Sequence, residues 1–320
     1  RTRSASPGAL ARSAPASGAS EMPRRACARR RDAGVGAEGI HFGGSEGVSV
    51  NIIQGDCLTV LPTLPTESVH CVVTSPPYWR VRDYGHADQM GWEASPNDYV
   101  KRMVAVFHEV RRTLRADGTV WVNLGDTTNN RRRIRGTSHQ PSLNGFREGT
   151  WAEATKAGLT QLSINDGDLK EKDMCGVPWL FAFAMRRDGW FLRQEIIWAK
   201  SFGKPEPTKD RLPNRHEQLF LFSKSKNHYF DRSSLPTYAT GSVWQVPPIG
   251  RSDHAASFAE ALVRPCVSAG CPKGGTVLDP FSGSGTTGKV AADLGREAIL
   301  IELNSEYIEN SRARIKGEKA

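Results

Sequence analysis

The segment Thr276 to Gly288, TVLDPFSGSGTTG, constrains the fold more than any other stretch of the chain. It begins as a short apolar strand, runs into a glycine-rich loop, and the loop opens a helix over Thr286 to Leu294. Strand, glycine loop and helix in that order belong to an open α/β sheet, whose ligands bind beyond the carboxyl ends of the strands. Gly283, Gly285 and Gly288 have the spacing G-x-G-x-x-G, and Glu302 closes the next strand, Ala298 to Glu302. Such glycines let the backbone approach a ligand, and a carboxylate ending the following strand suits a ribose diol, so a nucleotide-type ligand is implied. The glycines alone fit a tight strand-to-helix turn equally well.

Two details point away from a dinucleotide. Asp279 lies directly before the loop, where a carboxylate takes a cationic amino group better than a pyrophosphate, and SGSGTT lacks the cations that phosphates recruit. S-adenosylmethionine (AdoMet), with an ammonium, a ribose and no phosphate, fits better. Asp56, after Gly55 at the end of the first strand, is placed to accept from an adenine amino group. As a lone residue it also reads as an ordinary Gly-Asp turn.

The rest of the chain supports the α/β rhythm. Order begins at Val48 with VSVNII, and SVHCVVT (Ser68 to Thr74) reads as a strand buried on both faces. Ser95-Pro96 starts a helix with Val100, Met103, Val104, Phe107, Val110 and Leu114 at helical spacing, followed by the strand TVWVNLGD. VPWLFAFAMRR reads as a buried helix, WFLRQEIIWAK and HEQLFLFSKS as strands, and helices are expected over about 256–269 and from Ser305. The expected fold is a doubly wound, mostly parallel sheet with one catalytic domain over 47–320. It carries insertions near 127–173 and 231–253 and a disordered, low-complexity tail over 1–46, rich in Ala, Gly, Ser, Pro and Arg.

Composition narrows the class. The 320 residues carry 43 Lys and Arg against 34 Asp and Glu, a net charge of +9, so a polyanion is a reasonable partner. No apolar run approaches the roughly 18 residues of a membrane-spanning helix, and the N-terminus lacks a signal-peptide core. Membrane association is therefore not expected, and the cytoplasm of a bacterial or phage-infected cell is. The six cysteines, Cys27, Cys57, Cys71, Cys175, Cys266 and Cys271, form no C-x-x-C pair, so reduced thiols are expected and no metal chemistry is indicated.

The second informative segment is Thr74-Ser75-Pro76-Pro77-Tyr78-Trp79. Two prolines remove two backbone donors and stiffen the chain at what should be the carboxyl edge of the sheet. Ser75 Oγ and the Pro76 carbonyl are then free to accept both hydrogens of a nucleobase amino group, and Tyr78 to stack on the base. An isolated S-P-P-Y also reads as a rigid turn with Tyr78 and Trp79 as packing residues.

TSPPYW together with DPFSGSGTTG resembles the paired signatures of amino-group DNA methyltransferases, and their order is similar to the beta class. The blocks that resemble this family cover about 48–126 and 175–316. The resemblance makes Ser75, Pro76, Pro77 and Tyr78 the target-base site, Asp279, Phe281, Gly283 and Gly285 the AdoMet methionine site, Glu302 the ribose ligand and Asp56 the adenine ligand. Serine in the first position of the four-residue motif typically accompanies methylation of cytosine N4, which implies a site-specific cytosine-N4 DNA methyltransferase. Around His254 to Phe258 alanines replace the family's usual prolines, so a cofactor contact by Phe258 does not follow.

Such chemistry requires the target nucleotide to be flipped out of double-stranded DNA, and it proceeds by direct in-line transfer with no cysteine nucleophile. Arg264-Pro265-Cys266 superficially offers a cysteine for C5 methylation but lies in an apolar helix. Adenine N6 methylation on the same fold is the alternative. A nicotinamide-dependent Rossmann oxidoreductase is a remote one, which TSPPYW does not support, and a catalytically silent nucleic-acid binder is a third. DNA contact is expected from Arg131, Arg132, Arg133 and Arg135 in the first insertion and from about 238–251 in the second. A cognate restriction endonuclease is admitted as a partner; the oligomeric state and the recognised DNA sequence are left open.

Overall fold

The computed structural model describes residues 37–41, 47–82, 84, 89–129, 169–201, 208–247 and 259–317. Among them nine strands form one sheet: β1 (Ala37–His41), β2 (Ser49–Gln54), β3 (Val69–Thr74), β4 (Leu114–Leu124), β5 (Phe191–Ala199), β6 (His216–Ser223), β7 (Val243–Gln245), β8 (Thr276–Asp279) and β9 (Glu297–Glu302). Their order is β1-β2-β9-β8-β3-β4-β6-β5-β7. From β2 through β9, β8 and β3 to β4 every pairing is parallel, whereas β1 on β2, β6 on β4 and β5 on β6 are antiparallel. The continuous apolar runs of the central strands follow from burial on both faces.

Helices cover the two faces in separate groups. Against one face lie α1 (Cys57–Val60), α2 (Pro96–Thr113) and α3 (Val177–Arg187), whose Met103, Phe107, Val110, Phe181 and Met185 share a core with Val72, Val120 and Leu278. Against the other lie α4 (Glu260–Gly270), α5 (Thr286–Asp293) and α6 (Ser305–Lys316), with Leu262, Val267, Val290 and Ile308 packed on Val50, Val73 and Val277. No helix of the described residues is long and apolar enough to cross a membrane. Five cysteines, Cys57, Cys71, Cys175, Cys266 and Cys271, are free and buried.

Helix starts follow the local chemistry. Ser95 caps α2 by accepting from the Asp98 amide at 3.0 Å, with Pro96 in the first turn. Helix α3 has no side-chain cap of its own, because Gly176 occupies that position. Asp126, just beyond β4, replaces it by accepting from the Gly176 amide at 2.9 Å and the Val177 amide at 3.0 Å. The carboxylate also opposes the positive end of the helix dipole.

Three expectations change in detail. Ala37–His41 pairs antiparallel with β2, so structure begins inside the segment read as a tail over 1–46; ladder pairing draws on backbone groups that composition does not report. Residues 1–36 lie outside the described residues. The stretch near 231–253 is not free for recognition over its first part: β7 extends the sheet, and Ala239, Trp244 and Val246 are buried in the core. Tyr238 is also engaged, its hydroxyl donating to the Ala261 carbonyl at 2.8 Å. The insertion near 127–173 departs and returns through a stem, a bridge between Thr128 and Met174 with the Asn129 amide on the Asp173 carbonyl at 2.8 Å. Its interior, residues 130–168, lies outside the described residues, as do 248–258.

The chain order of the strands decides where a ligand can sit. From β3 the chain moves outward to β4, and from β8 it moves the opposite way to β9, so the switch point lies between the neighbours β3 and β8. The loops leaving these two strands are TSPPYW and DPFSGSGTTG, and a switch point opens a crevice between such loops.

Close packing under α4 yields a test. A Cβ on Gly270 would stand 2.6 Å from both Thr119 Oγ1 and Trp121 Nε1 and 2.9 Å from Cys71 Sγ. Three buried side chains have to shift together, so Gly270→Ala is expected to lower stability by about 1–3 kcal/mol. An unchanged midpoint of urea unfolding would show that this layer is looser than the contacts indicate.

Candidate active site

The two motifs, more than two hundred residues apart, are joined by one buried carboxylate. Thr74 Oγ1, at the end of β3, donates to Asp279 Oδ1 at 2.6 Å; Thr287 Oγ1, in α5, donates to Asp279 Oδ2 at 2.7 Å. The Phe281 amide adds a third bond to Oδ1 at 3.1 Å. Asp279 is 1% exposed, and burial pushes its carboxyl up to about 6 against the opposing pull of these donors. A carboxylate has about four acceptor positions, so the three donors leave Asp279 one for a ligand ammonium.

The glycine loop is held closed from two sides. Gly283 and Gly285 adopt left-handed φ of 51° and 75°, and a Cβ on Gly285 would lie 2.9 Å from the Ser311 side chain in α6. Gly288 lets α5 approach β9, since a Cβ there would lie 2.6 Å from Leu300 Cδ1. The Gly283 amide donates to Glu302 Oε2 at 2.8 Å, the Asn304 amide to Glu302 Oε1 at 2.9 Å, and Ser311 Oγ to the Gly283 carbonyl at 2.7 Å. Burial raises the Glu302 carboxyl above its ordinary range, with these amides pulling the other way. Ser282 Oγ and Ser284 Oγ are buried in the same loop without a hydrogen-bond partner. Phe281 packs at the margin of the core beside them.

Asp56 joins this edge from β2. The Gly55 amide donates to the Glu302 carbonyl at 2.9 Å, and Asp56 caps α1 through one oxygen, accepting from the Leu58 amide at 2.9 Å. Asp56, Asp279, Glu302 and the glycines thus line one carboxyl edge, whereas the arginine cluster Arg131, Arg132, Arg133 and Arg135 and the residue Phe258 lie outside the described residues.

The S-P-P-Y segment is fixed as firmly as the loop opposite. Tyr99 donates to the Pro77 carbonyl at 2.9 Å, and Trp79, 2% exposed, donates through Nε1 to the Glu93 carbonyl at 3.1 Å, so Trp79 is a core anchor. No described group donates to the Pro76 carbonyl. The Tyr78 ring lies against Gly125, where a Cβ would come within 2.6 Å of Cε2, which explains the glycine after β4.

Tyr78 Oη is 2.8 Å from Glu217 Oε2 and 3.0 Å from Asn123 Oδ1. Ser75 Oγ stands 3.4 Å from both Tyr78 Oη and Asn123 Oδ1. Asn123 is oriented by its Nδ2, which donates to the Gln218 carbonyl at 3.2 Å. Glu217 is also paired with Lys200, whose Nζ lies 4.3 Å from the Trp198 ring centroid. Burial, followed by the Glu217 charge, holds the Tyr78 phenol well above its ordinary range, so it stays protonated.

Sequence reasoning brings Ser75, Pro76, Pro77, Tyr78, Asp56, Asp279, Phe281, Gly283, Gly285 and Glu302 to this edge and misses Thr74, Asn123, Lys200, Glu217 and Thr287. Thr74 and Thr287 are polar residues bordering apolar stretches beside a buried aspartate, a signal that was available. Glu217 carried none, because its position depends on which strand pairs with β4.

A two-loop site of this kind at a sheet switch point, one loop glycine-rich and acidic and the other proline-stiffened, defines a transferase built on a nucleotide-type fold. The family model described as DNA methylase, covering both N6 and N4 chemistry by its name, matches residues 69–313, and the chain belongs to this family. It is 43% identical over 279 residues to the Type II methyltransferase M.SmaI of Serratia marcescens, spanning 83% of this chain and 91% of that protein. In fold it is similar to the PvuII DNA methyltransferase (cytosine-N4-specific), with a TM-score of 0.61 and 20% identity over 82% of this chain and 85% of that one. It is also similar to a DNA modification methylase of Thermus thermophilus in complex with S-adenosyl-L-methionine, with a TM-score of 0.57 and 24% identity over 82% and 92% of the two chains.

Asp279→Asn separates the two duties of this residue. An amide can keep its oxygen toward Thr74 and Phe281 and turn its nitrogen to Thr287, whose hydroxyl then donates to the Val73 carbonyl, already 3.2 Å away. A buried carboxyl raised from 3.8 to about 6 makes the fold less stable as pH climbs from about 4 to 6, by roughly 3 kcal/mol above that range. The asparagine variant is therefore expected to match or exceed wild-type stability at pH 8, to lose that advantage at pH 4, and to bind AdoMet more weakly. A variant less stable than wild type at pH 8 by calorimetry would show that the charge itself holds the motifs together.

Proposed function

We propose that the chain is an AdoMet-dependent, Type II DNA methyltransferase that transfers a methyl group to the exocyclic N4 amino group of cytosine in double-stranded DNA. The observation carrying this reading is the Thr74–Asp279 hydrogen bond, which seats Ser75-Pro76 directly beside the glycine loop. The site fits AdoMet chemically. Ser282 and Ser284 present two buried hydroxyls that lack partners, three carboxylates suit an ammonium, a ribose and an adenine amino group, and the loop carries no phosphate-binding cation. Asp279, Phe281, Gly283 and Gly285 would hold the methionine end, Glu302 the ribose and Asp56, through the oxygen not used in its cap, the adenine.

When bound, AdoMet supplies an electrophilic methyl group on a sulfonium. The protein supplies positioning. Inside a duplex cytosine N4 faces its guanine partner, so the nucleotide has to be extruded at a cost of a few kcal/mol. Ser75 Oγ and the unpartnered Pro76 carbonyl then accept the two amino hydrogens, which returns electron density to nitrogen and aligns it for in-line attack. The buried Cys266, its thiol pushed well up by burial, takes no part.

Serine rather than aspartate at position 75 supports cytosine, and the family's coverage of both N6 and N4 chemistry makes adenine N6 the second reading. Mass spectrometry of nucleosides from DNA of an expressing host is expected to show N4-methylcytosine, lost in Ser75→Ala; N6-methyladenine instead would transfer the reading to adenine.

Substrate DNA is proposed to meet the arginine cluster Arg131 to Arg135, in the segment that leaves the sheet beside Tyr78. A cognate endonuclease is part of the same proposal, since Type II methyltransferases protect a site that a partner cuts. Replacing Arg131, Arg132 and Arg133 by alanine is expected to weaken DNA binding and flatten its salt dependence, with AdoMet affinity unchanged. Equal salt slopes for the two proteins would remove the cluster from the interface.

A further inference from the structure

The amino group that accepts a methyl group has to lose a proton, and the base contacts alone provide nowhere for it to go. A serine hydroxyl and a proline carbonyl are hydrogen-bond acceptors but not bases at neutral pH. The structure, however, continues behind Ser75. From Ser75 Oγ to Tyr78 Oη is 3.4 Å, and from Tyr78 Oη to Glu217 Oε2 is 2.8 Å. The first of these is long, as hydrogen bonds in ligand-free sites often are before substrate draws them in.

The direction of the chain is set by its ends. Glu217 is the one carboxylate among the described residues hydrogen-bonded to the Ser75 and Tyr78 pair, and as an acceptor it orients the Tyr78 hydrogen toward itself. Tyr78 Oη then presents a lone pair toward Ser75, and Ser75 in turn presents one to the site. Asn123 cannot compete as a base: its oxygen is an amide oxygen, and its nitrogen is spent on the Gln218 carbonyl. The second carboxylate at this edge, Asp279, contacts Thr74 instead of Ser75, and its bound donors point at it from three sides.

We infer that Glu217, acting through Tyr78 and Ser75 with Lys200 as its counter-ion, is the positioning residue and terminal proton acceptor for methyl transfer. This rests on the function proposed above. The N–CH3 bond forms as the CH3–S bond breaks, with its electron pair passing to sulfur, and the nitrogen acquires a positive charge. One N–H proton then moves to Ser75 Oγ while the Ser75 proton moves to Tyr78 Oη and the Tyr78 proton to Glu217 Oε2. The methylated amine is left neutral and Glu217 protonated. The Glu217 and Lys200 side chains keep 17% and 20% exposure, enough for the proton to pass to water afterwards. The raised Tyr78 phenol suits a relay that passes a proton on without holding a charge.

The test is single-turnover methyl transfer from AdoMet to unmodified plasmid DNA by the full chain. Glu217→Gln keeps size and hydrogen bonding but removes the base, so its rate is expected to fall by about a hundredfold, the lower end for acid–base catalysis, with AdoMet and DNA dissociation constants within about threefold of wild type. Tyr78→Phe interrupts the same path, so the double variant should be no slower than the slower single one, and Glu217→Asp should recover a large part of the loss. A Glu217→Gln rate within about threefold of wild type, losses that multiply in the double variant, or a parallel loss of AdoMet affinity would each overturn the relay. Absence of methyl transfer by the wild-type chain, with AdoMet bound, would overturn instead the functional reading on which it rests.

Discussion

The arrangement of the site depends on one buried carboxylate. Asp279 ends β8, and its oxygens gather a hydroxyl from β3, a hydroxyl from α5 and the amide of Phe281 in its own loop. Each partner belongs to an element leading into or out of a functional loop, so the distance between the proline-stiffened loop and the glycine loop is set by hydrogen bonds of 2.6–3.1 Å, not by general packing. Burying the carboxylate is costly, as its upward-shifted carboxyl shows. A protein keeps such a group where geometry or charge is worth more than stability.

The two sides of the crevice divide the chemistry by hydrogen-bond type. The cofactor side offers carboxylates, two unpartnered serine hydroxyls and left-handed glycines that would tolerate close approach. The base side offers acceptors on a rigid backbone, since Pro76 and Pro77 have no amide hydrogen and the Pro77 carbonyl is already taken by Tyr99. Rigidity matters because acceleration here comes from alignment: acceptors that shifted would leave the amino nitrogen's lone pair delocalised into the ring.

Much of this was legible in the sequence because central parallel strands are apolar on both faces and announce themselves. VPWLFAFAMRR forms α3 over Val177–Arg187, the capping serine of α2 is Ser95, and the switch-point motifs sit where a strand run meets prolines or glycines. What was illegible is what depends on pairing. Ala37–His41 becomes β1 through backbone bonds to β2, and Val243–Gln245 becomes β7 because Trp244 finds a buried place against Trp121. The reading of Tyr78 as a stacking ring omitted its hydroxyl, whose partners Asn123 and Glu217 lie 45 and 139 residues away in sequence.

The antiparallel extension of the sheet explains why a base can be present here at all. A fully parallel sheet presents only strand ends and the loops after them at its carboxyl edge, and the crossovers then place helices over the faces. Because β6 runs antiparallel to β4, the beginning of β6 stands at that edge, and Glu217 in its second position faces the hydroxyl of Tyr78. Because β5 is antiparallel to β6, its end returns to the same edge and brings Lys200 to Glu217. A carboxylate placed there is held by strand register instead of by loop conformation. Its distance to Tyr78 is therefore fixed by the ladder, with Gln218 one residue further on orienting Asn123 through its carbonyl. The mixed character of the sheet is thus a means of supplying, from the far side of β4, the acidic group that neither signature motif contains.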